Sequence, residues 1–119
     1  MKLRIKGDTL RLRLLRSEVQ RLVETCSVEE TVHFAPGQEL RYALRMCDAD
    51  AMTAEFDGGC ITVRVPAKVA AEWAAGDMVG LYAEMSGGMT IAVEKDFACV
   101  DRDDEERADS YPNPKEEKC

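Results

Sequence analysis

Aromatic residues make up only 6% of this 119-residue chain, and it carries a single histidine. Its core must therefore come mainly from Leu, Val, Ile, Met and Ala. Any imidazole chemistry must rest on His33 alone. No apolar run approaches the ~18–20 residues that span a bilayer as a helix. The opening Met1-Lys2-Leu3-Arg4-Ile5-Lys6 is a charged strand with no apolar stretch behind it, so neither a leader nor membrane attachment is expected, and a cytoplasmic protein is. The five cysteines, Cys26, Cys47, Cys60, Cys99 and Cys119, are odd in number, and no pair has C-x-x-C spacing. That usage fits free thiols in a reducing compartment rather than a disulfide framework.

What is present points to a globular protein: 45% hydrophobic and 33% charged residues. A net charge of −7 argues against a general nucleic-acid binder, which needs a basic surface to displace counterions from phosphates. The charge is uneven. Residues 1–21 hold seven basic and two acidic side chains, whereas residues 101–119 hold eight acidic and four basic ones.

Alternation is the clearest structural signal. Leu3 and Ile5 alternate with Lys2, Arg4 and Lys6; Gly7-Asp8 turns the chain; Leu10, Leu12 and Leu14 alternate with Arg11 and Arg13. Period two on either side of a Gly turn predicts a β-hairpin. Ser17 and Gln20 have capping-box spacing, and Val19, Leu22, Val23 and Cys26 fall on one helical face. Strands follow through Val28, Val32 and Phe34 and through Leu40, Tyr42, Leu44 and Met46, split by Pro36-Gly37. The order then repeats. Met52–Phe56, a Gly58-Gly59 turn and Ile61–Val65 make a hairpin. Pro66 suits a helix start and Gly76 a stop, with Val69, Ala70, Trp73 and Ala74 as the apolar face. Val79–Met85, a Gly87-Gly88 turn and Met89–Val93 close the series.

The two passes superimpose at a constant offset of 51, with Gly7 on Gly58, Leu22 on Trp73 and Gly37 on Gly88. The predicted class is α+β: two ββαββ pseudo-repeats, residues 1–50 and 51–100, forming a mainly antiparallel or barrel-like sheet with two helices. Residues 101–119 read as an acidic, solvated and mobile tail, in which Tyr111 is a candidate for docking on the body. If Met1–Lys6 is treated as a permuted last strand, the order resembles the repeat unit of DNA sliding clamps. That fold-level likeness implies no activity, and the negative charge speaks against clamp function. The stretches Met1–Gly7, Leu10–Leu14, Glu94–Cys99 and Pro112-Asn113-Pro114 resemble a group of small uncharacterised bacterial proteins. The resemblance covers the whole chain and brings no activity with it.

No catalytic constellation emerges. The leading candidate site is a basic ladder of Lys2, Arg4, Lys6, Arg11 and Arg13 on one hairpin face, with Arg64 joining through the repeat. Six clustered cations suit an anion such as phosphate, nucleotide or an acidic peptide. The plainer reading is a solvated face balanced by cross-strand carboxylates. Were the sheet to close, the ladder would line a lumen resembling that of triphosphate tunnel enzymes, although Lys and Arg stand where those enzymes carry glutamates. His33, Cys47 and Cys99 offer the N and S donors of a metal site, but their spacing does not require one, and buried thiols acting as small hydrophobes are the simpler reading. No cofactor is implied. The expected role is a non-enzymatic binding or accessory module acting through protein–protein contacts, with homodimerisation through exposed strand edges. The alternative is a phosphate- or nucleotide-handling enzyme using the basic face.

Overall fold

The computed structural model describes residues 1–97, 109 and 111. Its elements run β1 (Lys2–Lys6), β2 (Thr9–Leu14), α1 (Arg16–Thr25), β3 (Ser27–Ala35), β4 (Gln38–Cys47), β5 (Thr53–Asp57), β6 (Cys60–Pro66), α2 (Ala67–Ala75), β7 (Gly80–Glu84) and β8 (Thr90–Lys95). This is the α+β order that alternation and turn residues predict. Gly7 and Gly58, equivalent under the offset, both have positive φ (56° and 59°), the backbone region that a tight hairpin turn requires and a Cβ disfavours.

The hairpins keep the same register in both halves. Lys2 lies opposite Arg13 and Thr53 opposite Arg64; Glu29 lies opposite Ala43 and Gly80 opposite Glu94. Each pair maps onto its counterpart 51 positions on. The strands form two four-stranded sheets, one in the order β1-β2-β8-β7 and the other β3-β4-β6-β5. Each sheet therefore takes one hairpin from each half. The hairpins meet at parallel central pairs, β2 with β8 and β4 with β6. At this joint the halves differ: Thr9 faces Thr90, whereas its counterpart Cys60 faces Arg41, two residues beyond the equivalent position. A two-residue slip keeps every side chain on its own face, so the fold tolerates it; a one-residue slip would turn the core outward.

The core follows from that alternation. Leu10, Leu12, Leu14, Ile91 and Val93 from the first sheet and Val28, Leu44, Val63 and Val65 from the second are buried in one cluster with Leu22 of α1 and Trp73 of α2. The helices touch each other; α1 also packs on β2, β3 and β4, and α2 on β4 and β6. Trp73 is fully buried, and its indole N–H donates to the Val79 carbonyl at 3.2 Å.

Several expectations need correction. The strands form two open sheets rather than one, and neither closes among the described residues, so the ladder lines no lumen. Helix α1 is capped at Leu15, not Ser17; the Glu18 carboxylate accepts the Leu15 N–H at 2.8 Å. Of the face expected on α1, Val19 and Leu22 are buried, but Val23 and Cys26 are exposed, because the apolar stripe covers only the first two turns. Strand β7 is shorter than its alternation suggests, and Val79 is half exposed. Tyr111 is 95% exposed and does not dock. The rest of the acidic tail, apart from Asp109, lies outside the described residues.

Candidate functional site

The basic ladder is the outer face of the β1–β2 hairpin. Period two sends Leu3, Leu10, Leu12 and Leu14 inward, so Lys2, Arg4, Lys6, Arg11 and Arg13 must point to the other side. Lys2 lies opposite Arg13, and Arg4 opposite Arg11. The next strand, β8, contributes Glu94 beside Arg13 and Ala92 beside Arg11. Glu94 is the hub of the face. Its carboxylate lies 3.5 Å from the Arg11 Nε and 3.3 Å from the Arg13 Nε, and it accepts the Tyr82 hydroxyl at 2.8 Å. Burial, reinforced by Glu94, raises the Tyr82 pKa above its ordinary value, so the phenol stays a donor. The Lys2 ammonium reaches Asp96 at 3.0 Å. Arg4 and Lys6 are also engaged by partners of their own. The Arg11 Nε is buried without a hydrogen bond that meets normal geometry.

Gly80 makes room for this hub. A Cβ there would sit 2.7 Å from the Glu94 Cγ and 2.8 Å from both the Tyr82 hydroxyl and the Val93 carbonyl oxygen.

Arg64 does not join the ladder. Its strand, β6, belongs to the other sheet, where Arg64 pairs with Glu55. The offset of 51 sets Arg64 on Arg13, but the two hairpins that carry them go to different sheets. The proposed metal ligands are also separated. His33 sits near the β3–β4 turn, largely exposed, 3.5 Å from Glu39. Cys47 lies at the opposite end of that hairpin, beside Pro66. Cys99 lies outside the described residues. Among the described residues, no three His, Cys, Asp or Glu side chains converge as a metal site would require.

Two further features escaped the sequence. One is a cavity of about 790 Å³ between the helices, lined by Leu14, Val19, Val23, Ala71, Ala74 and Phe97. The other is the placement of the Met1 ammonium between the carboxylates of Glu18 and Glu30, with the Tyr42 hydroxyl donating to the Met1 carbonyl at 3.0 Å. Burial alone would lower the ammonium pKa, but the two carboxylates outweigh it and raise the pKa. Burial would likewise raise Glu18, but hydrogen bonds from the ammonium and from the Leu15 N–H bring it below its usual value. One signal was legible: Glu30 interrupts the apolar side of β3 between Val28 and Val32.

Chemically, the ladder is an open cationic surface with two carboxylates woven in. These features define a small α+β protein of two interleaved sheets with a charged strand face. The chain belongs to the family of unknown function DUF7009, which it matches over residues 1–115. No curated protein and no solved structure matches it. No helix among the described residues is long and apolar enough to cross a membrane.

Proposed function

We propose that this chain is a small cytoplasmic binding module, built by internal duplication, that acts through protein–protein contacts. It engages an acidic, extended polypeptide segment on the outer face of the first sheet. The carrying observation is that Lys2, Arg4, Lys6, Arg11 and Arg13 share one open two-strand face and do not line the helix cavity. Lys2 to Lys6 span four residue steps of a strand, roughly 13 Å, which suits alternate residues of an extended chain. A small phosphate compound favours an enclosing pocket, where its charges are gripped from several sides.

Calorimetry on the full-length protein tests this with a glutamate decapeptide and with tripolyphosphate. The decapeptide should bind with strong salt dependence, and Arg11→Ala/Arg13→Ala should weaken binding roughly tenfold. The rival phosphate-handling reading gains if tripolyphosphate raises the melting temperature, the double variant abolishes that rise, and the decapeptide does not bind.

A further inference from the structure

We propose that β1 of one copy pairs edge to edge with β5 of a second copy of this chain. The pairing rests on the protein-contact reading above, and it sets an acidic strand at the edge of β1, beside Lys2, Arg4 and Lys6, rather than across the ladder's face.

Among the described residues, β1 and β5 are both edge strands, one in each sheet, and both are five residues long. An edge strand presents a row of backbone donors and acceptors that a further strand can satisfy. The side chains select which strand. On its outer face β1 carries Lys2, Arg4 and Lys6, whereas β5 carries Thr53, Glu55 and Asp57. On its inner face β1 carries Leu3 and Ile5, whereas β5 carries Ala54 and Phe56. Ile5 is 58% exposed and Phe56 69%, so both edges have an apolar margin that their own sheets leave uncovered. Pairing β1 with β5 covers both margins and sets cations against carboxylates.

The alternatives are disfavoured by the same residues. Joining β1 to β1 places cations opposite cations, and joining β5 to β5 places carboxylates opposite carboxylates. Arg4 and Glu55 each stand at the centre of a five-residue strand, so they fall opposite one another in either strand direction. Glu55 keeps its own-sheet pair with Arg64 and Arg4 its existing partner, and the new contact adds to both. The result is one continuous sheet of eight strands across two copies. Two such contacts made at once close a dimer; one made in turn gives a ring or chain.

Sedimentation velocity of the full-length protein at low and high salt tests the pairing. A species larger than the monomer is expected, loosened by salt. Arg4→Glu and Glu55→Arg should each raise its dissociation constant roughly tenfold or more, and combining them should restore association. Asp57→Lys is an independent breaking variant, and circular dichroism confirms that each variant is folded. A protein that stays monomeric at its highest soluble concentration overturns the pairing, as does an oligomer indifferent to these substitutions. The glutamate decapeptide separates the two failures. If it binds a monomer, only the pairing falls; if it does not bind and the protein is monomeric, the proposed function falls too.

Discussion

Each half supplies a carboxylate that two arginines of the first half hold on an outer sheet face, but the two carboxylates stand on opposite strands of the hairpin. In the first half it is Glu29 on the edge strand β3, facing Ala43, with Arg41 at 3.1 Å and Arg45 at 3.6 Å. In the second half the equivalent edge position is Gly80, and the carboxylate is Glu94 on the inner strand β8, held by Arg11 and Arg13. Large and small residues have changed places across one cross-strand pair. The exchange is not neutral in volume: Ala43 carries a methyl that Gly80 lacks, and at Gly80 a Cβ would clash. The consequence is electrostatic. Glu29 is 40% exposed and Glu94 12%, so the same chemistry sits in water in one half and under cover in the other.

The largest effect should come from the core position where the halves differ most in size. Trp73 and Leu22 are equivalent and both fully buried. Truncating Trp73 to Ala should cost about 3–5 kcal/mol and Leu22 to Ala about 2–5. Trp73 should be the worse of the two, because its loss also removes the indole donor to the Val79 carbonyl, which keeps only the Lys95 N–H. Urea unfolding of both variants checks the ranking, and a larger loss at Leu22 would show that α1, not α2, anchors the core.

Next comes the exchanged pair itself. Gly80→Ala drives a Cβ into Glu94, Tyr82 and the Val93 carbonyl, and overpacking of this kind costs about 1–3 kcal/mol. Adding Glu94→Ala should recover only part of the loss, since the Val93 carbonyl remains. Full recovery would show that the side chains alone forbid a Cβ there. Taken singly, Glu94→Ala should destabilise more than Glu29→Ala, whose exposed pairs are worth about 0–1 kcal/mol. High salt should erase the Glu29 effect first.

Glu18 separates the halves by pH. Its counterpart is Val69, so only the first half has this carboxylate. Glu18→Gln should cost about 1–3 kcal/mol near neutral pH, because it leaves a buried donor poorly matched. The folded pKa of Glu18 is lowered, so its contribution is fully present above the unfolded value near 4.5 and is lost as pH falls through the folded one. The Met1 ammonium has a raised pKa; its contribution is fully present below 8.0 and is lost as pH rises through its folded value. Urea midpoints measured across pH should therefore converge for wild type and Glu18→Gln in acid. Parallel curves would remove the carboxylate from the account.

The hairpins were legible because Leu3, Ile5, Leu10, Leu12 and Leu14 alternate strictly and glycines mark the turns. The offset of 51 between the halves rests on the same alternation and turns. Sheet membership was not. Period two reports which face a residue takes, but not which distant strand lies beside it, so alternation cannot separate Arg64 from Arg13. The parallel joints β2–β8 and β4–β6 leave no mark in either strand's own alternation. Glu94 became the hub of the ladder only because those joints bring it beside Arg13. Ser17 offers a better local cap than Leu15, yet α1 starts two residues earlier because the Glu18 carboxylate accepts the Leu15 backbone N–H.

The smallest effect concerns how the two helices stop. Helix α1 ends at Cys26 with φ 68°, the left-handed region; α2 ends at Gly76 with φ −107°, where any residue is at ease. The glycine thus sits at the end that does not need its conformational freedom. Gly76 is small for another reason: a Cβ there would lie 3.0 Å from the Glu72 carbonyl oxygen. Cys26 holds its conformation by donating its N–H to Leu22 at 2.7 Å and accepting from Met46 at 3.0 Å. A non-glycine residue in this region costs about 1–2 kcal/mol. Glycine removes that strain but adds about 0.5–1 kcal/mol of unfolded-state entropy. Cys26→Gly should therefore gain up to about 1 kcal/mol, while Cys26→Ala, which keeps a Cβ and loses only an exposed thiol, should gain nothing. Thermal unfolding of the two variants side by side decides the matter. Equal stabilities would mean that the hydrogen bonds from Met46 and to Leu22 set this turn and that its handedness carries no cost.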